Sequence, residues 1–425
     1  MRKLVLPTCN QALTMITQDA FTIGKMVINS VLSKMQTLSK SRVHFVSEIL
    51  MLFLCLRGRF NFLQMSREGG RNEKSYRYQF EKKFDWLSFN TTLIKEQSSN
   101  KLIIGFDPSY ITKSGKKTPG LGYFYSGCKG SYAKGLELGA FAAIDTVQHL
   151  AYHLVAVQSP SAKRDRINDV TTLVDHYAGL FVELAEKLRI ISSVAVFDAY
   201  FTKKKMVNAV CNVAGFEMIA RMRNDANLKY IFNGIQKGGK GRPRIYDGKV
   251  DTKNIDKRRI KLIVETEEYR IYSGIVYSVG LERKIRIAYV EHKVNAKTVN
   301  KIYFSTNLQR DADEILQYYR LRFQMEYLFR DAKQNVGLQN TQARSENKLD
   351  FHFNASLTAV SVAKAIARYN EDKNTRISIS ISDIKTECQN RNMIERLFSI
   401  YRFDRKLIKN SKAFKTLLNF GKKAA

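Results

Sequence analysis

Cysteine is scarce in this sequence, and the few cysteines present are not arranged in pairs. No CxxC pair occurs among them, and their number is odd. A disulfide framework is therefore not expected, and a structural zinc site is disfavoured because the six histidines are scattered as well. These absences are typical of a protein from a reducing compartment. The five positions are Cys9, Cys55, Cys128, Cys211 and Cys388.

Long hydrophobic runs are also lacking. The most apolar stretch, ILMLFLCL at 49–56, has eight residues, whereas a helix needs roughly 20 to span a bilayer. We interpret it as part of a buried helix. The first residues, MRKLVLPTCNQALT, lack the apolar region and cleavage site of a signal peptide. The sequence therefore predicts a soluble, cytoplasmic protein with no membrane partner.

Acidic residues are few for a chain of this length. The 425 residues include 39 Asp and Glu against 71 Lys and Arg, which gives a net charge of +32. Such an excess repels itself, and a polyanionic partner relieves the repulsion. Nucleic acid is the leading candidate, because every phosphate that a protein neutralises releases a counterion. The excess runs along the whole chain, which predicts a broad footprint; a basic but unspecific surface is the alternative.

The first 97 residues have the apolar periodicity of helices. The segment VHFVSEILMLFLCL predicts a buried helix, and NEKSYRYQFEKKFDW predicts a basic helix with Asn72 as its N-cap. Short basic helices suit a DNA-docking module, and a helical cap on the core fits a single helix equally well. We predict a helical DNA-binding region over 1–97.

From residue 98 onward, strands and helices alternate. Residues 98–226 predict the order β-β-β-α-β-α-β, which is a mixed α/β layer. The predicted strands are 101–107, 136–145, 150–158, 192–198 and 216–223, and the predicted helices are 165–188 and 201–213.

Residues 227–305 differ from the segments on either side. A Gly-rich basic loop at 238–249 is followed by alternating β-branched and aromatic residues, which predicts a β-rich insertion. The core resumes over 306–369 with a long helix. Residues 370–425 predict a helical C-terminal region, which is a candidate for dimerisation.

Two predicted strands each end in an aspartate that follows phenylalanine: GFD at Asp107 and VFD at Asp198. Functional groups gather at the carboxyl ends of strands in open α/β sheets. Two such carboxylates repel each other unless a cation lies between them. With Glu326 as a third carboxylate, the set predicts a hard-oxygen site for two Mg²⁺ ions, with Mn²⁺ able to substitute. A strand-terminal Asp that only caps a turn is the alternative.

The segment YYRLRFQMEYLFRDAK, 318–333, places four functional groups on one stripe. On a continuous helix Tyr319, Arg322, Glu326 and Lys333 lie within roughly 60° of one another. Glu326 would face the metal ions, Arg322 and Lys333 would meet DNA phosphates, and Tyr319 would bind a phosphate or stack on a base. A salt-bridged surface stripe is the alternative.

The spacing Tyr319-x2-Arg322-x3-Glu326-x6-Lys333 resembles the Y-x2-R-x3-E-x6-K signature of bacterial DDE transposases of the IS-four type. The segments FDPSYITKSGKKTPG, VFDAYFTKK and GRPRIYDG resemble further parts of that family. The resemblance implies an RNase H-like mixed-sheet core that is interrupted by a β-rich insertion and flanked by helical N- and C-terminal regions.

The resemblance also implies function. Asp107, Asp198 and Glu326 would be the metal-binding catalytic triad, and Tyr319, Arg322 and Lys333 would contact the transposon end. The implied activity is cut-and-paste transposition by two-metal phosphodiester hydrolysis and strand transfer, through a hairpin intermediate. The implied partners are terminal inverted repeats and target DNA, held by a homodimer that is nucleoid-associated in the cell.

The sequence departs from the family pattern at two points. Phe323 follows Arg322, where the family commonly has tryptophan. The only tryptophan, Trp86, lies outside the insertion that supplies a base-holding tryptophan in the family. Two other functions stay open: a metal-dependent nuclease on the same core without strand transfer, and a non-catalytic basic DNA-binding protein.

Overall fold

The computed structural model describes residues 19–161, 172–236, 241–294, 297–401 and 412–423. Its N-terminal part is helical, as predicted, within the described residues. Asn72 caps α4 with its side chain, as the sequence indicated. The helices of this part are α1 (Ala20–Ser33), α2 (Lys40–Cys55), α3 (Phe62–Glu68), α4 (Glu73–Glu81) and α5 (Trp86–Gln97).

Four of the five N-terminal helices pack against one long, buried helix. Helix α11 (Glu346–Ala367) is buried along almost its whole length and contacts α1, α2, α4 and α5 as well as the sheet. Burial on all sides explains its alanine- and serine-rich sequence, since small side chains allow close approach. The remaining helices are α6 (Leu173–Glu183), α7 (Ala185–Arg189), α8 (Lys204–Asn208), α9 (Ala312–Leu321), α10 (Gln324–Asn335), α12 (Ile381–Tyr401) and α13 (Lys412–Asn419).

A single 12-stranded sheet runs through the molecule in the order β2-β3-β1-β5-β6-β12-β11-β10-β7-β8, with β4 on β3 and β9 on β10. Strand β1 pairs antiparallel with β3 and parallel with β5, and β5 pairs parallel with β6. The first six strands are β1 (Leu102–Thr112), β2 (Gly122–Ser126), β3 (Ser131–Asp145), β4 (Leu150–Gln158), β5 (Val194–Phe197) and β6 (Glu217–Met222).

Residues 227–305 are β-rich, as predicted, and their strands belong to the same sheet. Strand β12 pairs antiparallel with β6, so the insertion extends the core sheet edge to edge. The strands are β7 (Leu228–Ile231), β8 (Tyr246–Lys249), β9 (Lys261–Glu265), β10 (Tyr269–Ser278), β11 (Arg283–Val294) and β12 (Lys297–Ser305). Part of the predicted Gly-rich loop, residues 237–240, lies outside the described residues.

The sheet separates two hydrophobic clusters. Ile104 and Phe106 of β1 pack with α6 on one face, whereas Ile103 packs with α2, α10 and α11 on the other. Gly105 belongs to this second face: a Cβ there would stand 2.9 Å from Met325 Sδ of α10. The alternation of a strand therefore places Asp107 on the same face as α10.

Three predicted elements differ from the structure. Strand β1 continues to Thr112 and does not end at Asp107. The predicted helix 165–188 is α6 followed by α7 over its described part, and residues 162–171 lie outside it. The predicted helix 201–213 is the short α8 followed by a π-helical turn, Ala209–Val213. Within the described ranges, no helix is long and apolar enough to cross a membrane.

Candidate active site

Asp107 lies in the middle of strand β1, just beyond the point where β1 stops pairing with the parallel strand β5. Its backbone pairs with Ala140 of β3, so the expectation that the strand ends there was wrong. The parallel pairing of β1 with β5 stops at Gly105 and Val196, and β5 itself ends at Phe197. The antiparallel partner β3 supports β1 beyond that point. Asp107 therefore lies where the parallel part of the sheet ends.

Asp198 directly follows β5, as predicted. It stands at the N-cap of the short 3₁₀ turn Ala199–Phe201, but its side chain makes no capping hydrogen bond. The alternative that Asp198 merely caps a turn is therefore not supported. Its Oδ1 lies 3.5 Å from the hydroxyl of Tyr319, which is a long contact.

The segment that carries Glu326 is not one continuous helix, as the stripe assumed. Helix α9 ends at Leu321, and α10 begins at Gln324. Between them the backbone tightens to bonds of the i to i+3 type, for example from the Glu326 amide to the Phe323 carbonyl at 3.0 Å. Helix α9 packs on β6, β11 and β12, whereas α10 packs on β1, β4 and α11. The break lets each helix follow its own strands of a twisted sheet.

The break places Arg322 between two of the predicted acids. Its Nη1 lies 3.3 Å from Asp107 Oδ2, and its Nη2 donates to Glu326 Oε1 at 2.8 Å. Because one guanidinium bridges both, the two carboxylates lie less than roughly 10 Å apart. The guanidinium also lies over the ring of Tyr319, 5.8 Å from its centroid. The Arg322 side chain is 13% exposed, so most of it is removed from water.

The charges of the other two acids also act on Asp107. Burial raises the pKa of Asp107 to about 7; the positive charge of Arg322 opposes the rise, and the negative charges of Asp198 and Glu326 add to it. Burial has the largest single effect on Arg322 and lowers its pKa, but Asp107, Tyr319, Asp198 and Glu326 together outweigh it, so the pKa of Arg322 is raised. The structure therefore brings Asp107, Asp198 and Glu326 together at one end of the sheet.

A metal site is not formed by these side chains as they stand. Among the described residues, no three His, Cys, Asp or Glu side chains are placed to hold one ion. The guanidinium of Arg322 lies between Asp107 and Glu326 and pairs with both carboxylates. The donors themselves are three carboxylates without His or Cys, a set that suits a hard divalent cation.

Lys333 does not join this cluster. It lies in the last turn of α10, and no hydrogen bond or ion pair joins it to the three acids in the described structure. Burial lowers the pKa of Lys333, and the nearby thiol of Cys128 opposes the shift. Cys128 belongs to the turn between β2 and β3, so Lys333 faces that hairpin. Glu326 and Lys333 lie on the same helix, seven residues and about 10 Å apart along its axis, and the DNA contact of Lys333 stays a prediction.

Two further residues support the site and were not expected. Tyr303 of β12 packs its ring 4.7 Å from the ring of Tyr319, centroid to centroid, which fixes Tyr319 over the sheet. Glu137 of β3 is buried and adds to the raised pKa of Asp107. Burial raises the pKa of Glu137 as well, and hydrogen bonds from Tyr177 and Ser159 oppose the rise. The sequence signal for Glu137 was a glutamate inside the apolar run LELGAF, where a charged residue is unusual.

Comparison with known proteins identifies the class to which this sheet and its acids belong. Residues 111–361 match the family described as the Transposase DDE domain, which is more than half of the chain. The chain therefore belongs to this family of transposases. The match includes Asp198 and Glu326 and begins four residues after Asp107. A search of curated proteins found no match.

Proposed function

We propose that this protein is a cut-and-paste transposase of the IS-four type, with Asp107, Asp198 and Glu326 as its catalytic acids. The observation that carries the proposal is the convergence of these three acids around Arg322, from strands and a helix that are far apart in the sequence. The strands β4, β3, β1, β5 and β6 support an RNase H-like core, because an antiparallel trio is followed by a parallel pair.

Two divalent ions, Mg²⁺ or Mn²⁺, would be held by the three carboxylates, with Asp107 and Asp198 contributing from adjacent strands and Glu326 from α10. When bound, such ions activate the attacking water or 3′-hydroxyl and stabilise the leaving oxygen of the phosphodiester. Asp107 is suited to this task because its burial disfavours the charged form until a cation compensates for it.

Arg322 would exchange partners when DNA binds. A phosphate offers the guanidinium two acceptor oxygens in the same fork geometry as a carboxylate. Moving Arg322 onto a phosphate would release Asp107 and Glu326 from their ion pairs. Tyr319 would follow the same strand, since its ring lies beneath the guanidinium and its hydroxyl is close to Asp198. Lys333 would contact DNA farther along α10, beside the β2–β3 turn.

The hairpin intermediate needs an aromatic side chain to hold a displaced base. Trp86 cannot do so, because it is 2% exposed and packs against Phe84 and Phe351. Phe323 is exposed, immediately follows Arg322 and forms an edge contact with Tyr327. We propose Phe323 as the stacking residue, since any aromatic face can stack on a base.

A homodimer holding two transposon ends is the proposed assembly, with the C-terminal helices as the contact. Met393, Leu397 and Ile400 of α12 are exposed apolar side chains, which supports a role in association. Terminal inverted repeats and target DNA are the proposed substrates, and the nucleoid is the proposed location.

The experiment uses a plasmid that carries the DNA flanking the gene. Wild-type protein with Mg²⁺ should release the flanked segment and join it to a second plasmid. Asp107→Asn, Asp198→Asn and Glu326→Gln should each abolish cleavage and leave DNA binding largely intact. Cleavage without joining would favour the nuclease. The non-catalytic alternative would be favoured if neither the wild type nor any variant cleaves DNA and all three variants bind DNA as the wild type does.

A further inference from the structure

A basic groove lies around the C-terminal end of β1, the strand that carries Asp107. It has a volume of about 1320 Å³. Four separate parts of the chain form its walls: α4, the β1–β2 loop, the β2–β3 hairpin, and the segment from α10 to α11. Tyr110 lines the groove three residues after Asp107 on the same strand, which is roughly 10 Å along the backbone.

The charge of the groove has one sign. Eight Lys and Arg side chains line it, and none of the described residues lining it is Asp or Glu. Arg77 and Lys348 form ion pairs with Glu73 and Glu81 outside the groove. The other six basic side chains form no ion pair with a carboxylate among the described residues; they are Lys113, Lys116, Lys117, Lys129, Lys134 and Arg344.

The remaining lining is rich in neutral hydrogen-bonding groups. Thr112, Ser114, Thr341 and Gln342 add hydroxyls and an amide between the cations. The Lys113 ammonium donates to the Thr341 carbonyl, which ties the β1–β2 loop to the opposite wall. Cations with interleaved hydroxyls and amides are the groups that proteins direct at nucleic-acid phosphates.

We infer that this groove binds the sugar–phosphate backbone of duplex DNA next to the cleaved bond. The inference rests on the proposed function, because the catalytic acids define where the cleaved bond lies. A second copy of this chain is a poor occupant, since it also carries a net charge of +32. A single small anion would leave most of the cations uncompensated.

The test measures the salt dependence of DNA affinity for the full chain in EDTA, with a random-sequence duplex of about 40 base pairs, because phosphate contacts do not depend on sequence. The groove variant is Lys116→Ala with Lys117→Ala, two exposed side chains of the β1–β2 loop. The matched control is Lys101→Ala with Lys187→Ala, two exposed lysines outside the groove: Lys101 directly precedes β1, and Lys187 lies on α7. Thermal unfolding of both variants checks that they remain folded.

The groove variant should make the slope of log K against log salt shallower by roughly two, and the control should leave it unchanged. Equal salt slopes for the wild type, the groove variant and the control would overturn the inference. So would an equal loss of DNA affinity in the groove variant and the control, or a groove variant that weakens binding of duplex RNA but not of duplex DNA. A groove effect without metal-dependent cleavage by the wild type would refute the proposed chemistry and leave DNA binding by the groove intact.

Discussion

Arg322 forms an ion pair with Asp107, with 3.3 Å between Nη1 and Oδ2, in the place where the proposed catalysis would require a cation. Asp107 is therefore compensated by an arginine that also bridges to Glu326. One positive charge in this position can neutralise the acids, but it also opposes metal binding until it moves. The ion pair is thus a candidate link between DNA binding and assembly of the metal site.

Replacing Arg322 with glutamine should raise the affinity for Mn²⁺ in the absence of DNA. Removing a positive charge a few ångströms from the carboxylates favours a cation by roughly tenfold. The same variant should bind the transposon end more weakly, because it loses a phosphate contact. Mn²⁺ binding followed by electron paramagnetic resonance measures the first effect.

Arg320→Gln is the matched control, since Arg320 is an exposed arginine of the same segment that lies over the ring of Tyr269. Its Mn²⁺ affinity should equal that of the wild type. Unchanged Mn²⁺ affinity in the Arg322 variant would mean that this guanidinium does not compete with the metal.

Asp107→Asn should stabilise the metal-free protein at high pH. Folding raises the pKa of Asp107 to about 7 from an ordinary value of 3.8, so the folded state binds the proton more tightly than the unfolded state does. Stability is therefore lost as the pH rises from about 4 to about 7, and the asparagine variant avoids this loss. We expect the variant to be more stable by about 1 kcal/mol or more at pH 8.

The measurement is urea unfolding in EDTA at pH 8 and at pH 4.5. The stability difference between the two proteins should be largest at pH 8 and should shrink toward pH 4.5. A difference that does not change with pH would show that Asp107 titrates in its ordinary range.

Gly105→Ala should disturb the site without touching its charges. The added Cβ would stand 2.6 Å from Ile144 Cδ1 and 2.9 Å from Met325 Sδ, so the side chains of Ile144 in β3 and Met325 in α10 must shift. Such overpacking costs about 1–3 kcal/mol. Glu326 follows Met325 directly, and we therefore expect cleavage to fall more than DNA binding.

Gly179→Ala serves as the control for that substitution. Gly179 is an exposed position of α6, and its added Cβ would meet no heavy atom within 4 Å. It should leave cleavage unchanged and stability unchanged or slightly raised. Cleavage by Gly105→Ala at the wild-type rate would mean that the close approach of α10 to β1 is not required.

Phe323→Ala should impair hairpin formation while preserving the first strand cleavage. Phe323 lies beside Arg322 and is exposed, so its replacement by alanine removes no buried packing. Phe323→Tyr, which keeps an aromatic face, should retain the activity. Denaturing gels resolve the nicked product from the hairpin. Normal hairpin yield from the alanine variant would exclude Phe323 as the stacking residue.

The sequence predicted the three acids but not the way in which they meet. Two apolar strands predicted to end in Phe-Asp pointed to Asp107 and Asp198, and the helical spacing of functional groups pointed to Arg322 and Glu326. The break between α9 and α10 was not predictable, because no proline or glycine marks it and the cause is packing of the two halves on different strands.

The basic groove shows a similar limit. The net charge predicted a polyanionic partner, yet Lys116, Lys129 and Arg344 are brought together only by sheet topology and the long β2–β3 hairpin. No local spacing in the sequence relates them. Strand β1 likewise extends beyond its predicted end at Asp107, because β3 continues to pair with it.

The most direct test of the central claim is a change of metal specificity at Asp198. Asp198→Cys replaces a hard carboxylate with a soft thiolate, which binds Mg²⁺ poorly and Mn²⁺ better. We predict that this variant cleaves the flanking-DNA plasmid with Mn²⁺ but not with Mg²⁺, whereas Asp198→Ala is inactive with both ions. Wild-type rates for Asp198→Cys in Mg²⁺, or cleavage by Asp198→Ala, would contradict the account.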